Sequence, residues 1–220
     1  MGTMNQPHPE FDEKKWFHLF KNKARVLYPN SDPAHDFLHI QRVVNTAKNL
    51  CDSEKGRWQV VMPAAFFHDY INVPKHDPRR SYASALSAEA TIEYLKSVNY
   101  PEEYFDEIRH AIEAHSYSAN IKPTTLEAQI VQDADRLDSL GAIGIARCFA
   151  TSTLMSRPFY AEEDPWAEQR NLDDKSFGID HFYIKLFKLV DLMNTQTAKK
   201  EAEHRVTFIK EYLAQIKREI

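Results

Sequence analysis

Glycine is scarce in this sequence. Its 220 residues include 5 glycines and 11 prolines, whereas an average protein has about 7% glycine. Few glycines mean few turns with positive φ, which argues against a β fold rich in hairpins. Neither the Gly-x-Gly-x-x-Gly motif nor the Gly-x4-Gly-Lys-Ser/Thr motif occurs. These absences exclude a Rossmann-type dinucleotide site and a P-loop.

Cysteine, excess basic charge and long apolar runs are also lacking. Cys51 and Cys148 form no Cys-x-x-Cys pair, which excludes a disulfide scaffold and favours a reducing compartment. The net charge of −4 leaves no basic surface for nucleic acid. The longest strongly apolar stretch, residues 60–67, is far shorter than the roughly 20 residues that span a bilayer. No signal peptide is evident at the N-terminus, so we expect a cytoplasmic protein with no nucleic-acid or membrane partner.

Apolar residues recur at helical spacing along most of the chain. Residues 11–27 form the first such segment, and Ser31-Asp32-Pro33 predicts the start of a second helix that reaches about Leu50. Further helices are predicted at about 58–70, 81–96, 101–116, 123–140, 145–154, 181–192 and 197–220. Residues 156–178 have two prolines and weak periodicity, which predicts a loop or flap. The pattern is typical of one all-α domain, a helical bundle.

The first candidate for chemistry is the dipeptide His68-Asp69, which ends the most apolar segment of the chain. A carboxylate buried there without a partner costs several kcal/mol. The partial negative charge of a helix C-terminus adds to that cost. Asp69 therefore requires either a nearby lysine or arginine or a metal ion.

A second candidate lies near the start of the second helix. His35 and His39 are four residues apart and share a helix face. Arg42 follows one turn later, where its guanidinium can meet an anion or a carboxylate. The segment thus combines potential metal ligands with a cation.

A third candidate is a group of three carboxylates within six residues: Asp133, Asp135 and Asp138. This group is too acidic for an ordinary apolar helix face that packs into the core. At 100° per residue, Asp133 borders the apolar stripe of the helix, and Asp135 shares a face with Asp138. A helix inside a bundle buries more than one face. Helix geometry alone therefore leaves both Asp133 and Asp135 open as the functional residue.

In this order, the three segments resemble the HD superfamily of metal-dependent phosphohydrolases, whose signature is H…HD…D. His39, in His-x-x-Arg-Val, matches the first histidine, and His68 and Asp69 match the doublet. Asp135, in Ala-Asp-Arg-Leu, matches the last aspartate. The resemblance implies that these four residues bind metal, and it favours Asp135 over Asp133, which stays a neighbouring or substrate-side candidate.

Two imidazoles and two carboxylates suit a divalent transition ion such as Mn²⁺, Fe²⁺, Co²⁺ or Ni²⁺. Mn²⁺ is our first choice. Such a site leaves positions open for water and phosphate oxygens, and Asp69 is also a catalytic candidate that contacts the attacking water or a second ion. The resemblance implies an HD-type core over about residues 31–150, with helices in 179–220 packed on it.

Other polar residues near these segments are candidates for supporting roles. His110 and His115 are five residues apart, so they face the same way only if the helix ends between them. They then face the metal or the phosphate, or they simply form a polar helix end without a functional role. Lys75, Arg79 and Arg80 are candidate phosphate-binding cations or part of a solvated loop. Candidates for acid–base catalysis are His35 and His115, and those for substrate binding are Arg42, Lys75, Arg80 and His110.

The resemblance is closer to small stand-alone bacterial HD proteins with nucleotide pyrophosphohydrolase activity. It is carried by HDFLHIQRV, FFHDYINVPK and VQDADRLDSLGAIGIAR. The HD doublet is followed by Tyr-Ile-Asn-Val, not by the acidic pair of HD hydrolases of guanosine tetraphosphate alarmones. The Gly-Tyr-Pro extension of cyclic-di-GMP phosphodiesterases is also absent. We therefore expect a (deoxy)nucleoside triphosphate that releases pyrophosphate.

Three alternatives stay open. The same site suits a 5′-nucleotidase acting on (deoxy)nucleoside monophosphates, or a non-catalytic regulatory module that binds metal and nucleotide. A purely structural bundle would need Arg42 and Arg136 to neutralise Asp69 and Asp135, which leaves two buried histidines unexplained. Residues 160–166 suit either a substrate lid or a subunit contact, so a homodimer also stays open.

Overall fold

A computed structural model describes residues 11–28, 36–71, 73, 82–116 and 119–220. The described residues contain helices and no strand, as the periodicity predicts. The α-helices are α1 Glu13–Leu27, α2 Phe37–Glu54, α3 Trp58–Phe67, α4 Ala83–Ser97, α5 Phe105–His115, α6 Leu126–Leu137, α7 Gly141–Leu154, α8 Asp180–Ile184 and α9 Gln196–Glu219.

Helix α3 is the centre of the bundle because its sequence is apolar on every side. Nine of its ten residues are buried, and only Gln59 is partly exposed. Helices α1, α2, α4, α5 and α6 all pack against it. A helix that is apolar all round is stable only inside a larger core. Consequently, His68, which directly follows its C-terminal end, is buried.

Four helices, α2, α3, α5 and α6, form the part of the bundle that carries the candidate residues. Helix α2 packs on α3 and α6, and α5 packs on the same two helices. Asp36 caps α2, accepting a hydrogen bond from the His39 amide at 2.8 Å. In the described part of the chain this helix therefore begins at Phe37, with Asp36 as its N-cap. The start predicted at Ser31-Asp32-Pro33 lies outside the described residues.

A tight turn joins α6 to α7. Gly141 has φ +70°, a left-handed conformation that favours glycine. A Cβ atom at Gly144 would lie 2.2 Å from the Ser139 carbonyl oxygen. Gly141 is thus favoured by its backbone conformation and Gly144 by the close approach of the Ser139 backbone, in the turn that follows Asp138 at the end of α6.

The C-terminal elements complete one hydrophobic core that extends from Trp16 to Leu213, so the chain forms the predicted single all-α domain. Helix α9 packs on α2, α6 and α7. The helix predicted over 181–192 divides into α8 and the 3₁₀ helix Leu186–Leu192. Among the described residues, no helix is long and apolar enough to cross a membrane.

Residues 156–178 form a loop without helix, as predicted. Arg170 anchors this loop by donating two guanidinium hydrogen bonds to the buried carboxylate of Asp180. Asp164 accepts three backbone N–H groups from residues 168–170. The loop is therefore fastened to the start of α8 by a buried ion pair.

Candidate metal centre

Ends of four helices converge at one place in the bundle. His39 lies in the first turn of α2, and His68 directly follows α3. His115 is the last residue of α5, and Asp135 lies in the last turn of α6. The three histidines are buried. Asp69 lies beside them and is partly exposed.

One group of potential ligands consists of His39, His68 and Asp135. The Oδ1 atom of Asp135 lies 3.6 Å from His39 Nε2 and 3.9 Å from His68 Nε2. These residues come from three different helical segments of the chain. The structure therefore brings Asp135 together with both histidines of the motif.

A second group shares His68 with the first and adds Asp69 and His115. Asp69 Oδ2 lies 3.6 Å from His68 Nε2, and Asp69 Oδ1 lies 3.4 Å from His115 Nε2. The potential ligand atoms of each group lie within 4.8 Å of one another. The cluster thus contains the four residues of the motif together with His115.

Backbone carbonyls orient two of the imidazoles. His68 Nδ1 lies 3.0 Å from the Ala65 carbonyl oxygen, and His115 Nδ1 lies 2.5 Å from that of Ile112. A carbonyl oxygen only accepts hydrogen bonds, so in each ring Nδ1 carries a proton. This arrangement turns Nε2 of both rings toward Asp69.

The His68 Nε2 atom is the strongest indication that the cluster fits a metal ion. It is buried and has no hydrogen-bond partner among the residues that the structure describes. A buried polar atom without a partner costs about 1–3 kcal/mol. A divalent cation would use this lone pair together with the carboxylates of Asp69 and Asp135, and that donor set suits a transition metal.

The charge states of these residues also suit a cation. Burial lowers the pKa of His68, which favours its neutral form, although Asp69 and Asp135 oppose that shift. Burial would raise the pKa of Asp69, but His68 and His115 outweigh it and hold that pKa well below its usual range. The pKa of Asp135 is lowered in the same way by His68 and His39. Neutral imidazoles and ionised carboxylates are the forms that bind metal.

The pKa of His115 shifts in the opposite direction. Burial alone would lower it, but the hydrogen bond to Asp69 outweighs burial and raises the pKa. His115 therefore holds a proton on Nε2, beside Asp69 Oδ1, more readily than an ordinary histidine. As predicted, α5 ends at His115, and Ser116 is extended.

Asp138 belongs to the predicted group of three carboxylates, but the sequence analysis assigned it no role. Its Oδ2 atom accepts a hydrogen bond from His39 Nδ1 at 2.7 Å. Arg42, for which a contact with substrate stays a prediction, donates through Nε to Oδ1 at 2.6 Å and through Nη2 to Oδ2 at 3.0 Å. Arg147 donates to Oδ2 at 2.7 Å. Burial would raise the pKa of Asp138, but His39 and Arg42 outweigh it and lower the pKa to about 2. The signal for this residue was its place one turn after Asp135.

Asp133, the alternative to Asp135, faces the C-terminal part of the protein. Its buried carboxylate accepts both backbone and side-chain hydrogen bonds from Asn194 and Thr195, at 2.8–3.1 Å. Thr195 is the N-cap of α9. Asp133 therefore fastens the start of α9 to α6.

Other predicted residues lie away from the cluster or outside the described residues. His110 Nε2 accepts the Thr124 amide proton at 3.0 Å, and neither group of potential ligands includes His110. The candidates outside the described part of the chain are His35, Lys75, Arg79 and Arg80.

A family model and a curated relative both match this chain. The family model described as "HD domain" matches residues 37–140, a range that contains the whole cluster. The protein YpgQ of Bacillus subtilis strain 168 is 33% identical over 212 residues, which cover 94% of this chain and 95% of YpgQ.

Solved structures give the same result. A crystal structure of B. subtilis YpgQ in complex with ADP has a TM-score of 0.72 and 29% identity, covering 94% of this chain and 96% of that one. An HD-superfamily hydrolase from Bacillus thuringiensis has a TM-score of 0.73 and 30% identity, covering 94% and 97%. A predicted HD superfamily hydrolase from an uncultured Thermotogales bacterium has a TM-score of 0.62 and 26% identity, covering 92% and 91%. All three likenesses extend over nearly the whole chain.

Proposed function

Because the chain belongs to the HD domain family, we propose that it is a metal-dependent phosphohydrolase that acts on nucleotides. Its substrate is a (deoxy)nucleoside triphosphate, which it cleaves to a monophosphate and pyrophosphate. The ion is Mn²⁺. The convergence of His39, His68, Asp69 and Asp135 from three helical segments is the observation that carries this proposal.

The ion, when bound, stabilises negative charge on phosphate oxygens and lowers the pKa of a water molecule. The residues of the chain supply the binding groups and the proton transfers. His39 and His68 would hold the ion through Nε2, and Asp135 would hold it through its carboxylate. Asp69 offers a carboxylate that is about one-third exposed, so substrate and water can approach it.

Asp69 and His115 are proposed to move the protons of the reaction. Asp69 Oδ1 lies 3.4 Å from His115 Nε2, and the carboxylate raises the pKa of the imidazole. In this scheme the Asp69 carboxylate takes a proton from the attacking water and passes it to Nε2 of His115, whose raised pKa lets it hold that proton, while pyrophosphate leaves phosphorus. A histidine that holds a proton more readily than usual can serve as the acceptor in such a transfer.

Support for a nucleotide substrate comes from the crystal structure of YpgQ, which contains ADP. A ligand with a base, a sugar and two phosphates on a protein 29% identical to this chain favours nucleotides over other phosphate esters. Cations are needed to hold the phosphates of such a substrate. Lys75 and Arg80 stay our candidates for that contact, and His35 stays a candidate for acid–base catalysis.

Product analysis tests this proposal. Protein loaded with Mn²⁺ is incubated with a panel of nucleoside mono- and triphosphates, and the products are separated by anion-exchange chromatography. Asp69→Ala provides the blank. Monophosphate and pyrophosphate formed from a triphosphate, and absent with the variant, are the expected result. Orthophosphate formed from monophosphates would favour the nucleotidase instead. No turnover of any nucleotide by metal-loaded protein would overturn the proposal.

A further inference from the structure

We propose that Asp138 is a positioning residue for the metal centre. It holds the imidazole of His39 in the one orientation and tautomer that present Nε2 to Asp135, and two arginines hold Asp138 in turn. This inference rests on the proposed function, since it assigns a role toward the ion that the cluster would bind.

The contact between Asp138 and His39 sets the tautomer of the ring. Asp138 Oδ2 lies 2.7 Å from His39 Nδ1, and an ionised carboxylate only accepts hydrogen bonds. The proton of the neutral ring therefore resides on Nδ1. Nε2, at the other side of the ring, keeps its lone pair and lies 3.6 Å from Asp135 Oδ1.

The same contact fixes the ring in space. The side chains of His39 and Asp138 are 1% and 4% exposed, so water does not compete strongly for their hydrogen bond. His39 comes from α2, whereas Asp138 follows α6 at the tight turn before Gly141. The hydrogen bond thus ties the first ligand helix to the helix that carries Asp135.

Two guanidinium groups immobilise the carboxylate. Arg42 binds both of its oxygens, and Arg147 binds Oδ2. Planar two-point contacts between guanidinium and carboxylate define a direction as well as a charge. Arg42 lies one helical turn after His39 on α2, so the same helix carries both the ligand and part of the clamp. A carboxylate that orients a metal-binding histidine in this way raises metal affinity.

A buried ion pair elsewhere in the chain provides a matched control. Asp180 is also buried, and Arg170 binds both of its oxygens. Asp180 contacts the loop of residues 156–178 instead of a histidine of the cluster. Replacing either aspartate with asparagine removes one charge and one acceptor oxygen from a buried guanidinium pair. Only the change at Asp138 alters the partner of His39.

The test compares Mn²⁺ binding by wild type, Asp138→Asn and Asp180→Asn, using isothermal titration calorimetry on proteins shown to be folded by circular dichroism. We expect Asp138→Asn to weaken Mn²⁺ affinity by about 10- to 100-fold and Asp180→Asn to leave it unchanged. Equal affinity in wild type and Asp138→Asn, or equal losses in both variants, would overturn the inference. Wild type that binds no Mn²⁺ would overturn the proposed function as well, so the two failures are distinguishable.

A measurement on wild type keeps the inference testable if Asp138→Asn does not fold. Long-range ¹H–¹⁵N NMR of metal-free protein reports which ring nitrogen of each neutral histidine carries the proton, and His39→Gln assigns the signal. We expect His39 to be protonated on Nδ1. Protonation on Nε2 would show that Asp138 does not set the tautomer, and the inference would be rejected.

Discussion

His115 Nε2 lies 3.4 Å from Asp69 Oδ1, which joins the end of α5 to the aspartate that follows α3. The contact pairs a buried imidazole with a carboxylate that is about one-third exposed. Asp69 also lies 3.6 Å from His68. Asp69 therefore faces both the potential metal ligands and a histidine that can hold a proton.

Replacing His115 tests this relationship. We expect His115→Gln to lower kcat about 100-fold, because removal of a positioned acid–base group costs that much or more. His110→Gln is the matched control, since His110 lies on the same helix but bonds to Thr124. Steady-state kinetics with a triphosphate and Mn²⁺ give both values. Unchanged kcat in His115→Gln would contradict a role in proton transfer.

Asp133 and Asp135 are two residues apart, but we expect substitutions at these positions to have opposite effects on Mn²⁺ binding and on stability. Asp135→Asn should lose Mn²⁺ binding and stay folded, because its carboxylate faces His39 and His68. Asp133→Ala should keep Mn²⁺ binding but lose about 3 kcal/mol of stability, because buried donors of Asn194 and Thr195 lose their acceptor. Calorimetric titration and urea denaturation measure the two quantities. The reverse pattern would make Asp133 the ligand.

Metal removal should destabilise the protein measurably. A ligand present at 100 times its Kd stabilises the folded state by about 2.7 kcal/mol, which corresponds to about 5 to 10 °C in Tm for a protein of this size. Thermal unfolding of wild type with EDTA and with added Mn²⁺ should differ by that amount. Asp69→Ala should show no such difference. An equal Mn²⁺ shift in the variant would mean that the ion binds elsewhere.

The buried carboxylate of Glu127 leads us to expect a pH dependence of stability that does not involve the metal centre. Burial would raise its pKa, but hydrogen bonds from the Arg57 side chain and amide outweigh burial and lower it. A lowered pKa means that the ionised carboxylate stabilises the folded protein above the unfolded value, about 4.3. That contribution is lost as the pH falls through the folded value.

We therefore expect Glu127→Gln to cost about 2 kcal/mol near neutral pH and progressively less in acid. Urea denaturation of metal-free wild type and variant over a series of pH values measures the difference. A difference that stays constant as the pH falls below about 4 would contradict the assignment.

The helices could largely be predicted because their signals are local. The unbroken apolar pattern of residues 58–67 predicts α3, and the predicted end of a helix near His115 agrees with the end of α5. The N-cap of α2 could not be predicted, because Ser31, Asp32 and Asp36 all offer side-chain acceptors. Only the folded backbone aims the oxygen of Asp36 at the amide of His39.

The sequence by itself determined the all-α fold and, through the ordered H…HD…D motif, the family, and the structure and the comparisons confirm both. Helix propensity and apolar periodicity act between near neighbours in the chain. The tertiary structure decided that Arg42 binds Asp138, that Asp133 fastens α9, and that His115 meets Asp69. These contacts join different helices, and they depend on how deeply and at what angle the helices pack.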